Sequence, residues 1–369
     1  MAQSSRLFQP LKVGNATLQH RLIMAPLTRY RANAEHVPLP FVKEYYEQRA
    51  SVPGTLLITE GTFITKKAGG YRNVPGIWSK EQIAAWKNVT DAVHAKGSYI
   101  YLQLWGLGRT ANPDVLKASG AELVGPSAIP YGEGKPIPRE LTIDEIRSLV
   151  ADYAQAARNA VEAGFDGVEI HGANGYLIDQ FIQDVSNQRQ DQYGGSIENR
   201  ARFALEVASA IVEAIGAEKV GLRISPWSTF QGMRMENPVP QFTYLVQELK
   251  RLRLSYLHVV QSSGIDENTT LEATERIAFV VDTWDNTSPV LIAGGLRSDI
   301  AKKIADERFK DKEVALVFGR YFISTPDLPF RIKKGLPLAS YNRDTFYIPE
   351  SKEGYIDYPF SDEFIKASV

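Results

Sequence analysis

Residues 167–176 read Gly-Val-Glu-Ile-His-Gly-Ala-Asn-Gly-Tyr, and this short stretch is the most informative part of the chain. Its first half has the length and the β-branched content of a buried parallel strand. The strand ends in His171, which is followed by Asn174 and Tyr176. Residues that follow the C-terminal end of such a strand face the active-site mouth of an α/β barrel. The stretch therefore predicts one barrel strand with three polar side chains at its mouth.

These three polar residues suggest a specific chemistry. His171 and Asn174 can both donate hydrogen bonds to one carbonyl-like oxygen, and Tyr176, with an ordinary pKa of roughly 10, keeps its proton at neutral pH. Two donors beside a neutral acid suit a reaction that draws charge onto a conjugated oxygen while a carbon is protonated. The stretch alone is equally compatible with a structural interpretation, in which His171 is a satisfied core histidine and Asn174 a turn residue.

Length, charge and cysteine content exclude several classes of protein. A chain of 369 residues can bury a large core, and α/β barrels often reach this length as one domain. The net charge of -1 gives no basic footprint for nucleic acid or an anionic membrane. The absence of cysteine excludes disulfides, iron–sulfur clusters, thiolate zinc and cysteine nucleophiles. With no signal-peptide pattern and no apolar run near ~18 residues, we expect a cytoplasmic protein without a metal site.

Eight short apolar runs have the character of buried strands, and helix-period segments lie between them. The runs are residues 22–28, 55–60, 99–104, 167–172, 220–226, 256–262, 289–295 and 314–320. The clearest helix begins at Thr142 with Glu145 three residues on, and another runs from Ser79 and Glu81 to Gly97. This alternation predicts an α/β fold, a (β/α)8 TIM barrel that forms one domain over residues 1–369. A doubly wound sheet is the alternative.

Three segments lie outside the eightfold pattern. Two short apolar runs flank Gly14-Asn15, which predicts a hairpin over residues 11–18 that closes the N-terminal floor of the barrel. Residues 105–140 form a long Gly- and Pro-rich insertion after the third strand, on the mouth side, where long loops act as lids or substrate walls. The aromatic tail over residues 341–369 is expected to pack back over the barrel.

Glycines at the ends of the last two strands predict a phosphate site. The seventh run ends in Gly294-Gly295 and the eighth in Gly319-Arg320. Loops at these places commonly bind phosphate through backbone amides, and Arg320 adds a forked cation. Gly294 and Gly295 alone are also compatible with an ordinary turn. Arg223 is a charge inside an apolar strand, so it must be paired or face a ligand. No dinucleotide or Walker fingerprint occurs, which favours the phosphate of a bound cofactor over ATP.

Motifs along nearly the whole chain resemble the Old Yellow Enzyme family of FMN-dependent ene-reductases. The matching stretches are APLTR at 25–29, LW at 104–105, HGANGYLIDQF at 171–181, YGGSIENR at 193–200, FGR at 318–320, RDTFY at 343–347 and GYIDYP at 354–359. Residues 37–42 and 187–189 are similar to the ergot-alkaloid branch that handles chanoclavine aldehyde, whereas residues 60–61 and 105–108 are closer to yeast-type enoate reductases.

The resemblance implies a noncovalently bound FMN and a role for each residue around it. Pro26, Leu27 and Thr28 would lie against the flavin ring, with Thr28 at its O4 edge. Gly61 and Gln103 would contact the N5 and N3/O2 side, with His171 nearby. Arg223 would lie near N1 and O2, where the reduced flavin collects negative charge. The phosphate would be held by Gly294, Gly295, Gly319 and Arg320.

The resemblance also implies a reaction. NADPH, or alternatively NADH, would reduce the flavin by hydride transfer to N5. The reduced flavin would then pass hydride to Cβ of an α,β-unsaturated aldehyde, ketone, imide or nitroalkene. His171 and Asn174 would bind the carbonyl or nitro oxygen, and Tyr176 would protonate Cα. The candidate substrate-pocket walls, for which core packing is the structural alternative, are Trp105, Tyr71, Phe230, Phe346 and Tyr347.

Other functions stay open at this level. One is an ergot-alkaloid-type chanoclavine aldehyde reductase. Some members of that branch carry Phe where this chain has Tyr176 and isomerise an alkene, so Tyr176 favours reduction. A second alternative is another FMN or phosphate-binding barrel, such as a dihydroorotate-type dehydrogenase or an aldolase, although no lysine lies in the eight runs. A third is a catalytically inactive flavin-binding barrel that serves as a partner module. We expect a monomer or homodimer with no nucleic-acid or membrane partner.

Overall fold

Eight parallel strands pair in chain order and close into a barrel in the computed structural model, which describes residues 5–262, 264 and 270–367. The strands are β1 Leu22–Met24, β2 Leu56–Ile58, β3 Tyr99–Trp105, β4 Gly167–Gly172, β5 Val220–Ile224, β6 Tyr256–Val260, β7 Val290–Ala293 and β8 Val314–Phe318. Because β8 pairs with β1 and β2 pairs with β3, the ring is closed. The predicted (β/α)8 barrel is confirmed, and the open doubly wound sheet is wrong.

Helices alternate with the strands and surround the barrel. Their bounds are Val42–Arg49, Lys80–Ala95, Pro113–Ala118, Ile143–Glu162, Leu177–Ile182, Ile197–Ile215, Val239–Arg251, Ala278–Trp284, Ser298–Lys303, Arg320–Ser324, Leu328–Lys334 and Asp362–Ala367. None of the helices in the described part of the chain is both long and apolar enough to cross a membrane.

Two of the predicted helix starts carry capping boxes. At Thr142 the hydroxyl accepts from the Glu145 backbone N–H at 3.2 Å, and the Glu145 carboxylate accepts from the Thr142 N–H at 2.8 Å, as the sequence predicts. At Ser79 the partner is Gln82, three residues on, and not the acidic Glu81. The correction follows from geometry, because only the third residue of the helix can reach back to the cap.

The predicted N-terminal hairpin is confirmed and fills the barrel floor. Strands Leu11–Val13 and Ala16–Leu18 pair antiparallel, and their apolar side chains cluster with Tyr101 and Tyr256 inside the barrel. The turn needs Gly14, which has a φ of +53° and on which a Cβ would lie 1.9 Å from the Glu218 carbonyl oxygen. The bottom of the barrel is therefore sealed, and a ligand must enter from the opposite end.

The C-terminal tail packs back over the barrel, as expected, and three buried arginines hold it there. Arg29 donates to the carbonyl oxygens of Phe346 at 3.0 Å and of Gly354 at 2.7 Å. Arg31 donates to the Phe346 carbonyl at 2.9 Å, and Arg49 reaches the Tyr355 carbonyl at 3.2 Å. Because the acceptors are backbone atoms, these bonds fix the path of the tail and bring its aromatic residues to the mouth.

In the insertion after β3, Arg109 makes the contacts that reach another loop of the mouth. The insertion carries the helix Pro113–Ala118 and two short paired strands, Val124–Gly125 and Arg139–Glu140. Arg109 is buried, and its guanidinium contacts the backbone oxygen of Gln231 at 3.1 Å and those of residues 129 and 130 at 3.4 Å. The predicted mouth-side loop is confirmed, and Arg109 joins it to the loop that follows β5.

Candidate active site

The candidate active site is a cavity of about 420 Å³ at the C-terminal ends of the barrel strands. Every site residue predicted from the sequence lines this cavity. They are Pro26, Leu27, Thr28, Gly61, Tyr71, Gln103, Trp105, His171, Asn174, Tyr176, Arg223, Phe230, Gly294, Gly295, Gly319, Arg320, Phe346 and Tyr347. The volume lies within the range of cofactor and ligand sites. The fold therefore brings together residues from both ends of a chain of 369 residues.

His171 lies at the end of β4, beside Arg223 on β5 in the strand register. Its ring is 5.0 Å from that of Tyr176 and 6.0 Å from that of Trp105, measured between centroids. Burial and the charge of Arg223 lower the pKa of His171 well below its ordinary value, so the imidazole is neutral. The buried Nδ1 atom has no hydrogen-bond partner among the described residues. A neutral imidazole with an unused nitrogen suits a ligand that is bound in the cavity.

The turn after β4 positions Asn174 through a tight backbone. Asn174 has a φ of +57° and Gly175 a φ of +76°, both in the left-handed region. The Asn174 N–H donates to Ser225 Oγ at 2.7 Å, and the Gly175 N–H donates to Asp179 Oδ2 at 2.8 Å. Gln180 Nε2 donates to the Gly175 carbonyl at 2.8 Å. These hydrogen bonds hold the backbone of residues 174 and 175 in place, and the backbone in turn sets the positions from which the side chains of Asn174 and Tyr176 extend.

Replacing Gly175 with Ala should lower the free energy of unfolding by more than the left-handed backbone conformation of this residue alone would cost. A Cβ there would lie 2.8 Å from Met233 Cγ and 3.0 Å from Gln231 Cβ. Gly335 has a similar φ of +70° with nothing within 4 Å, so Gly335→Ala isolates the left-handed penalty of roughly 1–2 kcal/mol. We expect a larger loss in Gly175→Ala, measured as free energy of unfolding in urea. Equal losses in the two variants would contradict a crowded turn.

Tyr176 lies against the rings of Trp105 and His171 and near the side-chain amide of Gln231. Its ring meets that of Trp105 edge-on, with centroids 4.8 Å apart. Burial, reinforced by the nearby Tyr71 and Tyr30 hydroxyls, raises the pKa of Tyr176 well above its ordinary value. Gln231, whose Nε2 donates to the Asn174 carbonyl at 2.9 Å, opposes that rise. The phenol is therefore protonated at neutral pH and is available as a proton donor.

Asp179 is a buried carboxyl group behind the same turn, and sequence reasoning did not single it out. Burial raises its pKa to about 7, against hydrogen bonds from Gln183 and Gly175 that lower it. The folded state then keeps a proton up to about pH 7 that the unfolded chain releases near a pKa of roughly 3.9. The contribution of Asp179 to the free energy of unfolding therefore falls as the pH rises from about 4 to about 7.

We expect Asp179→Asn to flatten the pH dependence of stability in that window, because an amide does not titrate there. The measurement is urea unfolding of both proteins at several pH values between 4 and 8. The comparison rests on the slopes, since the amide also alters the hydrogen bonds that Asp179 accepts from the Gly175 N–H in the turn and from Gln183 Nε2. A variant with the same slope as the parent would show that Asp179 does not carry this proton.

The side of the cavity near β3 and β5 carries the polar groups that the family pattern gives to a flavin ring. The buried Nε atom of Arg223 lacks a hydrogen-bond partner among the described residues. Gln103 donates from Nε2 to Glu169 at 2.8 Å, so one of its amide hydrogens is committed to the protein. Packing requires glycine at position 61, because a Cβ there would lie 2.5 Å from the Trp105 ring. A planar polar ligand fits beside these groups.

The opposite side of the cavity is lined by Gly294, Gly295, Gly319 and Arg320, at the ends of β7 and β8. Gly294 has a φ of +130°, and a Cβ on it would lie 2.9 Å from the Ser262 backbone nitrogen. Gly295 has a φ of +61°. Glycine is required where the backbone turns this way and a ligand approaches closely. The residues present therefore fit FMN, whose ring would be held beside Arg223 and whose phosphate would be held by the glycines and Arg320.

Aromatic side chains form the outer wall, and they differ in exposure. Trp105 and Phe346 are buried, Tyr71 and Phe230 are partly buried, and Tyr347 is 50 % exposed. Residues that sequence reasoning did not single out also line the cavity, among them Tyr30, Ser228, Tyr321 and Arg343. Tyr30 directly follows the APLTR stretch, and its ring lies 5.8 Å from that of Tyr347. Position next to a recognised motif was the only signal that pointed to it.

Known proteins resemble this chain along nearly its whole length. The model of the NADH:flavin oxidoreductase / NADH oxidase family matches residues 6–339. A chanoclavine-I aldehyde reductase of Penicillium roqueforti is 57% identical over 98% of this chain and 98% of its own. A probable inactive reductase of Epichloe festucae var. lolii is 55% identical over 98% of this chain and 97% of its own.

A solved structure agrees with the fold. The crystal structure of Old Yellow Enzyme from Pichia sp. AKU4542 matches with a TM-score of 0.89 and 39% identity, covering 97% of this chain and 94% of that one. The family match and this likeness confirm the resemblance that the motifs indicated. The chain belongs to the NADH:flavin oxidoreductase / NADH oxidase family and is a flavin-dependent oxidoreductase of the Old Yellow Enzyme type.

Proposed function

We propose that the protein is an FMN-dependent ene-reductase that takes its electrons from NADPH, with NADH as the alternative donor. The observation that carries the proposal is one cavity in which His171, Asn174 and Tyr176 face the glycine-lined and arginine-lined walls that fit FMN. Substrates of the proposed reaction are α,β-unsaturated aldehydes, ketones, imides and nitroalkenes. The family match supports flavin chemistry on small molecules.

The proposed reaction divides its tasks between the cofactor and the chain. The chemistry that FMN supplies when bound is hydride transfer, from the nicotinamide and then to Cβ of the alkene. His171 and Asn174 hydrogen-bond the carbonyl oxygen and stabilise the negative charge that develops there. Tyr176 gives its proton to Cα, so the C=C bond becomes a single bond and the carbonyl is restored. The phenolate left on Tyr176 then regains a proton from solvent.

The cofactor itself is the first expected result. The purified protein should carry FMN noncovalently, one per chain, because Gly294, Gly295 and Arg320 line one cavity and are proposed to form its phosphate site. Mass spectrometry of the chromophore released by heat or acid identifies it. Release of FAD, or failure to take up any flavin on reconstitution, would contradict the proposal.

The natural substrate has a second candidate. The 57% identity to a chanoclavine-I aldehyde reductase over nearly the full length favours an unsaturated aldehyde of that kind. Reduction of this aldehyde would use the same catalytic residues as reduction of simple enals and enones. The two proposals differ only in the size of substrate that the aromatic wall of the cavity accepts. Turnover of chanoclavine-I aldehyde compared with simple enals and enones decides between them, and a preference for small enones would favour the general ene-reductase.

A different class of function is supported by the relative from Epichloe festucae, which bears the name of a probable inactive reductase. An inactive barrel would bind flavin without turning over an alkene. The protein described here keeps both donors and the acid in its cavity, which favours an enzyme. A turnover screen against enals, enones, maleimide and nitroalkenes tests the proposal. No turnover of any of them by the flavin-loaded protein would support the inactive alternative.

A further inference from the structure

A layer of buried polar side chains crosses the barrel between the apolar floor and the cavity. Glu169 on β4 is its centre and is fully buried. Its carboxylate accepts hydrogen bonds from Gln103 Nε2 at 2.8 Å, His258 Nδ1 at 2.7 Å and Tyr256 Oη at 3.1 Å. Branched apolar residues usually fill this part of a TIM barrel. A carboxylate in their place is costly unless its charge is paired.

The charges in this layer identify the countercharge of Glu169. Burial alone would raise the pKa of Glu169, but His258, Arg223 and Gln103 together lower it, so Glu169 is ionised. Burial lowers the pKa of His258, so its imidazole is neutral and donates from Nδ1. Tyr256 and Gln103 carry no charge at neutral pH. The permanent positive charge that acts on Glu169 is that of Arg223, which lies beside His258 in the strand register and lowers the pKa of Glu169 through its charge.

Arg223 and Gln103 line the cavity, whereas Glu169 does not. Both lining residues fit the polar edge of a flavin, and Glu169 lies behind them, outside the cavity lining. We propose that Glu169 is a positioning residue that holds Gln103 and, as the buried countercharge of Arg223, sets the reduction potential of the bound flavin. This inference rests on the proposed FMN binding and is independent of the alkene chemistry.

The direction of the effect follows from charge. Two-electron reduction of a flavin adds negative charge at the edge that Arg223 is proposed to face. With Glu169 ionised, the charge of Arg223 is offset and the reduced flavin gains less stabilisation. In Glu169→Gln the arginine is unopposed, so the reduced form should be favoured about tenfold or more. For a two-electron couple, tenfold in this equilibrium corresponds to about 30 mV.

Tyr256→Phe is the matched control, because it removes a hydrogen bond to the same carboxylate and leaves the charge in place. Each flavin-loaded protein is reduced anaerobically in the presence of a reference dye, and the oxidised and reduced fractions are read from absorbance. We expect a more positive potential in Glu169→Gln and a change of less than about threefold in the equilibrium of Tyr256→Phe. An unchanged potential in Glu169→Gln, or equal shifts in the two variants, would overturn the inference.

Glu169→Gln leaves the half-buried Arg223 without its countercharge and can lose flavin or stability for that reason. The double variant Glu169→Gln/Arg223→Gln removes both charges and should then recover a higher thermal midpoint of the apoprotein than the single variant. A double variant that is no more stable than Glu169→Gln would show that the charges of Glu169 and Arg223 are not coupled. Alkene turnover by the parent protein tests the proposed function separately, since neither readout here involves a substrate.

Discussion

Tyr176→Phe is expected to slow the reduction of enals and enones by roughly 10²–10⁴, the usual contribution of a positioned general acid. The phenol is the half-buried, protonated group at the mouth of β4, and its ring packs against Trp105 and His171. Phenylalanine keeps that packing and removes only the proton. Flavin content and reduction by NADPH should stay nearly intact, because the hydroxyl plays no part in hydride arrival.

Nitroalkenes provide an internal control for this variant. Hydride addition to a nitroalkene gives a stabilised nitronate that solvent can protonate later, so the loss should be much smaller than with an enone. Stopped-flow reoxidation of the reduced protein by cyclohexenone and by a nitroalkene measures both steps. Equal losses on the two substrates, or no loss on the enone, would mean that Tyr176 is a wall residue and that the acid lies elsewhere.

His171→Ala and Asn174→Ala should each lower the rate of alkene reduction by roughly 10²–10³, equivalent to ~2.7–4 kcal/mol of transition-state stabilisation. Both residues are proposed to donate to the oxygen that becomes negatively charged. The two alanine substitutions should slow the reduction of the flavin by NADPH much less, because no oxyanion forms in that step. The two single losses need not add in the double variant, since the donors act on one atom.

Phenol binding separates this role from a structural one. The oxygen of a para-substituted phenolate resembles the developing enolate, so its affinity for the oxidised protein reports directly on the donor pair. Spectral titration with such a phenol should show weaker binding in both alanine variants. Gly335→Ala, a change outside the cavity lining, serves as the control for general destabilisation. Unchanged phenol affinity in both donor variants would show that the pair does not form the anion site.

Local pattern was sufficient to predict the barrel, and it erred mainly at the strand ends. The predicted strand over 167–172 has the same bounds as the observed β4. The strand predicted over 22–28 is shorter in the structure, where β1 covers only Leu22–Met24. Apolar residues beyond Met24 looked like more strand, but the chain turns there and Pro26 has no N–H to pair. Helix starts were readable because a cap is decided within four residues, as Thr142 and Glu145 show.

The candidate site was predictable where motif residues carry the chemistry and not where distant residues support them. Arg29 reaches the carbonyl of Gly354, 325 positions away, and no local periodicity signals such a bond. Asp179 and Gln231 support the turn at 174–176 through backbone contacts. Glu169 was read as part of an apolar strand, because its partners on β3 and β6 become visible only when the barrel closes.

The central claim is that reducing equivalents pass from NADPH through the bound flavin to an activated alkene, and an anaerobic single-turnover experiment tests it most directly. The yellow protein is bleached with one equivalent of NADPH and then mixed with cyclohexenone in the absence of oxygen. Our account predicts that the yellow colour returns with formation of one equivalent of cyclohexanone. Bleached protein that regains its colour only when oxygen is admitted, with no cyclohexanone formed from any enone, enal or imide tried, would contradict it.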